Sequence, residues 1–285
     1  MTPGTGGRIA EGRSEYDGTV REVIETKLGA RYRVVRELEP GVSARRLLLK
    51  HIELHTMHTA HVPLRESEAE GFGTAAKALL GVRISHIAPV EDLVVQDDGV
   101  PAIVTPYYGH ALGLVTLEQL GASRGGKLTP QEIEAAGDHI LHAMDDAHGG
   151  RLYNGPLSAR QVLIDRQGRV QLEHFGLGRM LERGVEGARI ATEGELREEV
   201  RSVLELLFRC LTGLDPRTIG VSAGQVVSSL DPLLDEWLAK GLRESDGFES
   251  AAAARAAMPE NLRVVKPRDG ALASAMRRIM GIAGL

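Results

Sequence analysis

The chain has 285 residues, and its 34 basic and 39 acidic side chains give a formal net charge of −5. This balance leaves no broad basic surface, so we expect no nucleic-acid partner. Cys210 is the single cysteine, which excludes an internal disulfide bond. No stretch reaches the roughly 18 apolar residues of a membrane helix, and residues 1–16 lack the apolar core of a signal peptide. The composition predicts a cytoplasmic protein without membrane insertion.

The first part of the chain predicts a flexible leader and then a small sheet. Residues 1–29 are rich in Gly, Thr, Glu and Arg, which is typical of a weakly ordered segment. Residues 67–83 are rich in Ala and Gly and have modest helical character. Alternating apolar residues separated by turn residues predict strands at 32–38, 46–54, 60–65, 86–95 and 102–105. Residues 30–108 therefore form a predicted sheet-rich lobe with one helix.

The pattern becomes helical from Leu128 onward. Thr129 precedes Pro130, and Glu132 stands three residues after Thr129, which is the sequence of a capped helix start. Further helices are predicted at 200–213, 231–238 and 249–257. Residues 109–262 are therefore predicted to form a larger, mainly helical lobe.

Residues 263–285 form a predicted tail. In this tail Leu272, Met276 and Ile279 recur at helical spacing, opposite Arg277 and Arg278. Two interpretations stay open for this amphipathic pattern: a helix that docks on a protein partner, and a helix that folds back on its own lobe.

Two ordered segments carry the most specific pattern in the sequence. The first runs from Ala147 to Asp165 and the second from Arg169 to Leu177, with a predicted hairpin at 161–172. They resemble the catalytic loop and the metal-binding loop of the protein kinase family, in which His-Arg-Asp is followed five residues later by Asn and then by Asp-Phe-Gly. Pro156 and Gln161 have the same offset, 161 − 156 = 5, and 174–176 reads His-Phe-Gly.

The resemblance implies an α+β, bilobal protein-kinase-like fold, similar to the bacterial serine/threonine kinases. It has a small antiparallel-sheet N-lobe with one helix and a larger, mainly helical C-lobe. In family terms, the adenine-binding hinge would use backbone groups of Pro106 and Tyr108, with Thr105 as gatekeeper. Gly41 would be the one glycine left of three in the phosphate-binding loop, because Glu39 and Ala44 stand at the other two positions.

The residues that would carry phosphotransfer in the family are changed. Pro156 replaces the catalytic base and can accept no proton, while His174 replaces the magnesium-binding carboxylate. The remaining changed positions are Gln161 for the catalytic-loop Asn, Ala75 for the helix glutamate, and Arg65 for the third-strand lysine, with Lys50 as the alternative for that lysine. The segment after Gly176 is short, and Thr192 is its one hydroxyl residue.

These changes indicate a pseudokinase that acts as a scaffold or regulator through protein partners, with no catalytic residue, no metal and no cofactor. A different hypothesis is a sensor that binds ATP weakly and without metal. A further one is a kinase-fold enzyme with rearranged chemistry that uses Glu173, Asp165 or a histidine. The histidines at 51, 55, 58 and 61 have irregular spacing, which favours a solvated turn over a zinc site.

Overall fold

The computed structural model describes residues 27–110, 113–259 and 272–274. The first part of these forms a six-stranded antiparallel sheet in the order β1-β2-β3-β4-β6-β5. Helix α1, Ala69–Leu79, follows a 3-10 turn and lies between β4 and β5 in the chain. The strands are β1 Lys27–Leu28, β2 Tyr32–Leu38, β3 Ala44–His51, β4 Met57–Pro63, β5 Asp92–Val95 and β6 Pro101–Pro106.

The second lobe is mainly helical. Helix α3 begins as predicted: Thr129 Oγ1 accepts a hydrogen bond from Glu132 N at 3.3 Å, and Glu132 Oε2 accepts one from Thr129 N at 2.8 Å. No helix in the described ranges is long and apolar enough to span a membrane. The elements are α2 Leu117–Ala122, α3 Pro130–Gly149, β7 Val162–Ile164, β8 Val170–Leu172, α4 Leu177–Ala188, α5 Glu193–Thr212, α6 Ala223–Val226, α7 Pro232–Gly241 and α8 Ala251–Ala256.

This arrangement confirms the predicted α+β, bilobal fold with a small sheet lobe and a larger helical lobe. The leader boundary at residue 29 was placed too late, because Lys27 and Leu28 already pair with β2. The third predicted strand was also displaced: it was expected at 60–65, and β4 spans 57–63. Residues 1–26 lie outside the described ranges.

One hydrophobic core connects the two lobes. Phe72 of α1 and Ile103 of β6 belong to the same buried cluster as Leu172 and Phe175 of the helical lobe. The backbone adds direct bonds, because Leu172 N donates to the His86 carbonyl at 2.7 Å and Ala88 N donates to the Leu172 carbonyl at 2.9 Å. The relative position of the lobes is therefore held by burial and by backbone pairing.

The described part of the tail packs against the helical lobe. Leu272 is fully buried in the main core cluster, and residues 272–274 are helical. Gly168, in the β7–β8 turn, has φ +77°, and a Cβ at this position would lie 2.3 Å from Ala273 N. The docking prediction is therefore wrong for Leu272, whose side chain is not available to a partner. Met276 and Ile279 lie outside the described residues.

We expect Leu272→Ala to lower the free energy of unfolding by about 2–5 kcal/mol, because the substitution leaves a cavity in a closed core. Leu233→Ala is the matched control, since Leu233 is 54% exposed, and it should change stability by no more than about 0.5 kcal/mol. Urea denaturation of the full chain measures both. Equal effects of the two substitutions would contradict the packing of the tail.

Candidate functional site

The two loops that resemble kinase motifs lie side by side. Asn154 Oδ1 accepts a hydrogen bond from Gly176 N at 2.9 Å, and Glu173 N donates to the Gln161 carbonyl at 2.8 Å. Asn154 N in turn donates to the buried Glu199 carboxylate of α5 at 3.0 Å. The catalytic-loop segment is thus fixed to the segment after β8 on one side and to the central helix on the other.

Three of the five predicted degenerate positions, Pro156, Gln161 and His174, lie in these two loops. Pro156 is exposed in the catalytic-loop segment. The side-chain oxygen of Gln161 accepts a hydrogen bond from Ser158 N at 3.1 Å and closes a local turn. Ala75 is buried in α1, where it offers no ionisable group, and His174 is buried with φ +54°, a conformation that is uncommon for residues other than glycine.

The prediction for the third-strand lysine position was wrong. Strand β4 ends at Pro63, so Arg65 lies beyond it, with a 77% exposed side chain paired to Glu68 at 3.1 Å. The alternative, Lys50, is exposed on β3. His61 of β4, which the sequence had assigned to a solvated turn, is instead fully buried. The error followed from predicting that the strand ends two residues later than it does.

A buried ion pair fills the space between the lobes. Arg46 of β3 binds both oxygens of Glu173: its Nε lies 2.9 Å from Oε1 and 3.1 Å from Oε2, and Nη2 also contacts Oε2. Each side chain is only 2% exposed. The guanidinium also donates to the carbonyls of Glu39 at 3.2 Å and Arg160 at 3.1 Å. A bidentate pair with further acceptors is the geometry in which a buried charge pair is well compensated.

Sequence reasoning missed Arg46, although the signal was present. In the kinase pattern G-x-G-x-x-G-x-V, valine follows the third glycine by two residues. With Ala44 at the third glycine position, Arg46 stands at the valine position. An arginine where the pattern has an apolar residue could have marked this site.

The turn between β2 and β3 is folded down onto the helical lobe. The carbonyl of Pro40 accepts a hydrogen bond from Arg160 Nη2 at 2.8 Å, and the Glu39 carboxylate accepts one from Gln119 Nε2 of α2. A Cβ on Gly41 would lie 3.2 Å from Glu173 Oε2 and 3.3 Å from Arg46 Nε, so glycine lets the backbone lie against the ion pair. The glycine predicted for phosphate binding therefore packs on protein atoms.

Two histidines lie against the ion pair. The rings of His61 and His174 meet edge to face with centroids 4.1 Å apart. Burial is the main cause that lowers the pKa of both, and that of His61 falls well below its ordinary value, so both rings are neutral at pH 7. The 3.8 Å approach of His61 Nδ1 to Glu173 Oε1 is therefore a contact between a neutral ring and a carboxylate rather than an ion pair.

The residues predicted for the gatekeeper and the hinge lie at the end of β6 and just after it. Thr105 is buried at the end of β6, and its Oγ1 lies 2.9 Å from His61 Nε2. Pro106 ends β6, and burial, with smaller contributions from Glu91 and Asp165, raises the pKa of Tyr108 to about 12. The side chain predicted to be the gatekeeper is thus hydrogen-bonded to another side chain of the protein.

The carboxylates of Glu173 and Asp165 already accept hydrogen bonds from protein groups, which leaves fewer oxygen ligands than magnesium needs. Both oxygens of Glu173 contact Arg46. In Asp165, Oδ1 accepts hydrogen bonds from the backbone nitrogens of Gln167 and Arg169, and Oδ2 accepts one from Arg169 Nε at 2.8 Å. Magnesium requires oxygen ligands in near-octahedral geometry, and the imidazole of His174 is a poor substitute. This donor set does not fit magnesium-bound ATP.

The segment after His-Phe-Gly is a helix rather than an open loop. Helix α4 begins directly after Gly176 and packs against α1. Thr192 caps α5: its Oγ1 accepts a hydrogen bond from Glu195 N at 3.2 Å. The backbone of Thr192 and the Arg183 side chain lower the pKa of Glu195 to about 2. The one hydroxyl residue of this segment is therefore engaged in holding a helix start.

The fold is that of the protein kinases. No family model and no curated protein matches the sequence. Among solved structures, the Mycobacterium tuberculosis PknI kinase domain is similar at 20% identity and a TM-score of 0.61, over 84% of this chain and 98% of that one. A double mutant of the same domain is similar at 19% identity and a TM-score of 0.64, over 84% and 98% of the two chains.

We expect the Arg46–Glu173 pair to show strong coupling in a double-mutant cycle. Arg46→Met or Glu173→Leu alone strands a buried charge and should cost about 3–5 kcal/mol, whereas the double substitution should recover much of that loss. Chemical denaturation measures the three stabilities.

The pair Arg45–Glu37, with side chains 52% and 56% exposed, joins the neighbouring strands β3 and β2 and serves as the control. Arg45→Met and Glu37→Leu should couple by no more than about 1 kcal/mol. A coupling energy for Arg46 and Glu173 as small as that of the control would contradict their role.

Proposed function

We propose that this chain is a pseudokinase, a protein that keeps the kinase fold without phosphotransfer and works as a scaffold or regulator through contacts with protein partners in the cytoplasm. The observation that carries the proposal is the Arg46–Glu173 pair. It places a salt bridge with 2% exposed side chains where a kinase needs an open cleft. Because protein side chains fill the cleft, we expect the protein to act through contacts of its outer surface with partners.

The chemistry of the surrounding residues supports the same proposal. Phosphoryl transfer depends on placing the phosphates, the metal and the attacking hydroxyl, so each missing group removes a separate part of the catalysis. Pro156 supplies no base, His174 supplies no carboxylate, and the Gln161 oxygen is bound by Ser158 N. The turn at 39–41, which would cover the phosphates, is hydrogen-bonded to Arg160 and Gln119.

The same contacts argue against the two other hypotheses. An ATP sensor needs room beside Thr105, where His61 is hydrogen-bonded to the gatekeeper hydroxyl. A rearranged enzyme based on Glu173 or Asp165 needs a carboxylate that is open to bound ATP. The Glu173 side chain is 2% exposed and paired with Arg46, and Asp165 accepts hydrogen bonds from the backbone and the side chain of Arg169. Nucleotide binding would require Arg46 and Glu173 to separate, at the cost of two uncompensated charges.

We expect ATP, with or without magnesium, to shift the melting temperature of the purified chain by less than about 1 °C. A ligand present at 100 times its Kd would stabilise the fold by about 2.7 kcal/mol, which corresponds to several degrees for a domain of this size. Thermal unfolding against ATP concentration measures the shift. A dose-dependent increase would replace this proposal with the ATP sensor.

Phosphotransfer is tested with ATP labelled at the terminal phosphate and general protein substrates. We expect no incorporation above background for the wild type. Incorporation that is lost in His174→Ala or Asp165→Asn, and kept in the control His139→Ala outside the cleft, would establish a rearranged enzyme instead.

The scaffold role requires a partner. We expect affinity capture with the full chain to yield a protein that binds the purified chain without ATP or magnesium, as measured by calorimetry. The full chain is necessary because removal of the tail would take Leu272 out of the core. If no captured protein binds the purified chain, or if binding requires ATP, the scaffold role fails.

A further inference from the structure

The buried cluster beside the ion pair contains polar atoms that the fold leaves without partners. His61 Nδ1 and His174 Nε2 are both buried, and neither has a hydrogen-bond partner among the described residues. Buried polar groups in native proteins are nearly always hydrogen-bonded, and an unsatisfied one calls for an explanation such as a bound ion. Two such nitrogens on rings 4.1 Å apart call for a common explanation.

A carboxylate completes the set. One ligand atom from each of His61, Glu173 and His174 lies within 4.8 Å of the other two, and all three residues are buried. Atoms bound to one zinc ion lie within about 4.2 Å of each other, because each bond is about 2.0–2.1 Å long. Rotations of the side chains that close the set by roughly an ångström would therefore bring the three atoms to coordination distance.

The hydrogen bond of His61 strengthens the case. If its Nε2 carries the proton and donates to Thr105 Oγ1, the lone pair on Nδ1 faces the Glu173 carboxylate at 3.8 Å. Two acceptors that face each other in a dry interior repel unless a cation lies between them. In the other tautomer, the Nδ1 proton points at an oxygen too distant for a hydrogen bond. A cation between His61 Nδ1 and the Glu173 carboxylate would remove the repulsion in the tautomer that carries its proton on Nε2.

We propose that His61 Nδ1, His174 Nε2 and Glu173 Oε1 bind one transition-metal ion, with zinc as the fitting species. Neutral imidazole and carboxylate are the ligands of zinc, and two histidines with one glutamate form an established zinc ligand set. Magnesium, which prefers oxygen ligands, fits this set poorly. The inference goes beyond the pseudokinase proposal and does not depend on it.

Arg46 has a defined part in this site. A carboxylate can accept about four hydrogen bonds or ligands. Among the residues that the structure describes, Oε1 of Glu173 accepts a hydrogen bond from Arg46 Nε alone, so a lone pair remains for the metal. The arginine orients the carboxylate, as partners of metal ligands commonly do. The positive charge of Arg46 also repels a divalent ion, and the negative charge of Glu173 offsets part of this repulsion.

The test uses the full chain, first stripped of metal with a chelator. We expect calorimetry to show one equivalent of Zn²⁺ bound and none of Mg²⁺. His61→Gln and His174→Gln should each weaken zinc binding by at least about tenfold. His139→Gln is the control, because His139 is a partly buried histidine whose Nδ1 accepts a hydrogen bond from Val170 N, and the variant should bind zinc as the wild type does.

Two further measurements keep the test decisive if a variant fails to fold. X-ray absorption of the zinc-loaded wild type should show two imidazole nitrogens and one carboxylate oxygen at about 2.0–2.2 Å. The neighbouring histidines of the same segment are checked with His58→Gln, a residue with a 14% exposed side chain, and this variant should leave zinc binding unchanged. Absence of stoichiometric zinc binding, an imidazole-free shell, or loss of binding in His58→Gln instead of His61→Gln would overturn the proposal.

Discussion

The bond between Arg46 and Glu173 determines how the rest of this structure is arranged. It joins β3 of the sheet lobe to the segment that leads from β8 into α4, and neither charge has access to water. Because an isolated buried charge is very costly, the two segments must stay together whenever the protein is folded. The β2–β3 turn packs against this ion pair at Gly41, and His61 Nδ1 lies 3.8 Å from Glu173 Oε1, so both are placed beside the same pair of charges.

The pair also changes what the kinase fold can do mechanically. Domain closure around a ligand needs lobes that separate at low cost. Here Arg46 also holds the carbonyls of Glu39 and Arg160, which belong to opposite lobes. The ion pair therefore opposes separation of the two lobes, and under the pseudokinase proposal a closed shape is suited to presenting the outer surfaces to a partner.

Much of the fold was predictable because local chemistry decides it. The capping box at Thr129, the glycine end of α5 and the hairpin at 161–172 each depend on residues close in sequence, and the structure has all three. The order and spacing of the two loops likewise predicted that they would meet.

The errors arose where a long-range partner decides the outcome. Nothing near Arg46 in the sequence indicates that its charge is neutralised by Glu173, which lies in the other lobe, so the site at the centre of the molecule was missed. His61 was assigned to a solvated turn, because the third strand was predicted at 60–65 and β4 in fact spans Met57–Pro63, which buries His61. The same displacement led to the choice of Arg65 for the lysine position. Leu272 was open to two interpretations until packing placed it in the core.

The contact between Gly168 and Ala273 links parts of the chain that are far apart in sequence. Any side chain at 168 would collide with the backbone of the tail, which passes directly over the hairpin turn. Relatives that carry a larger residue at the equivalent of 168 would have to route their C-terminal segment differently. The two positions should therefore vary together as sequences diverge. The size of the side chain at position 168 would then indicate whether the segment around residue 273 packs on the hairpin turn.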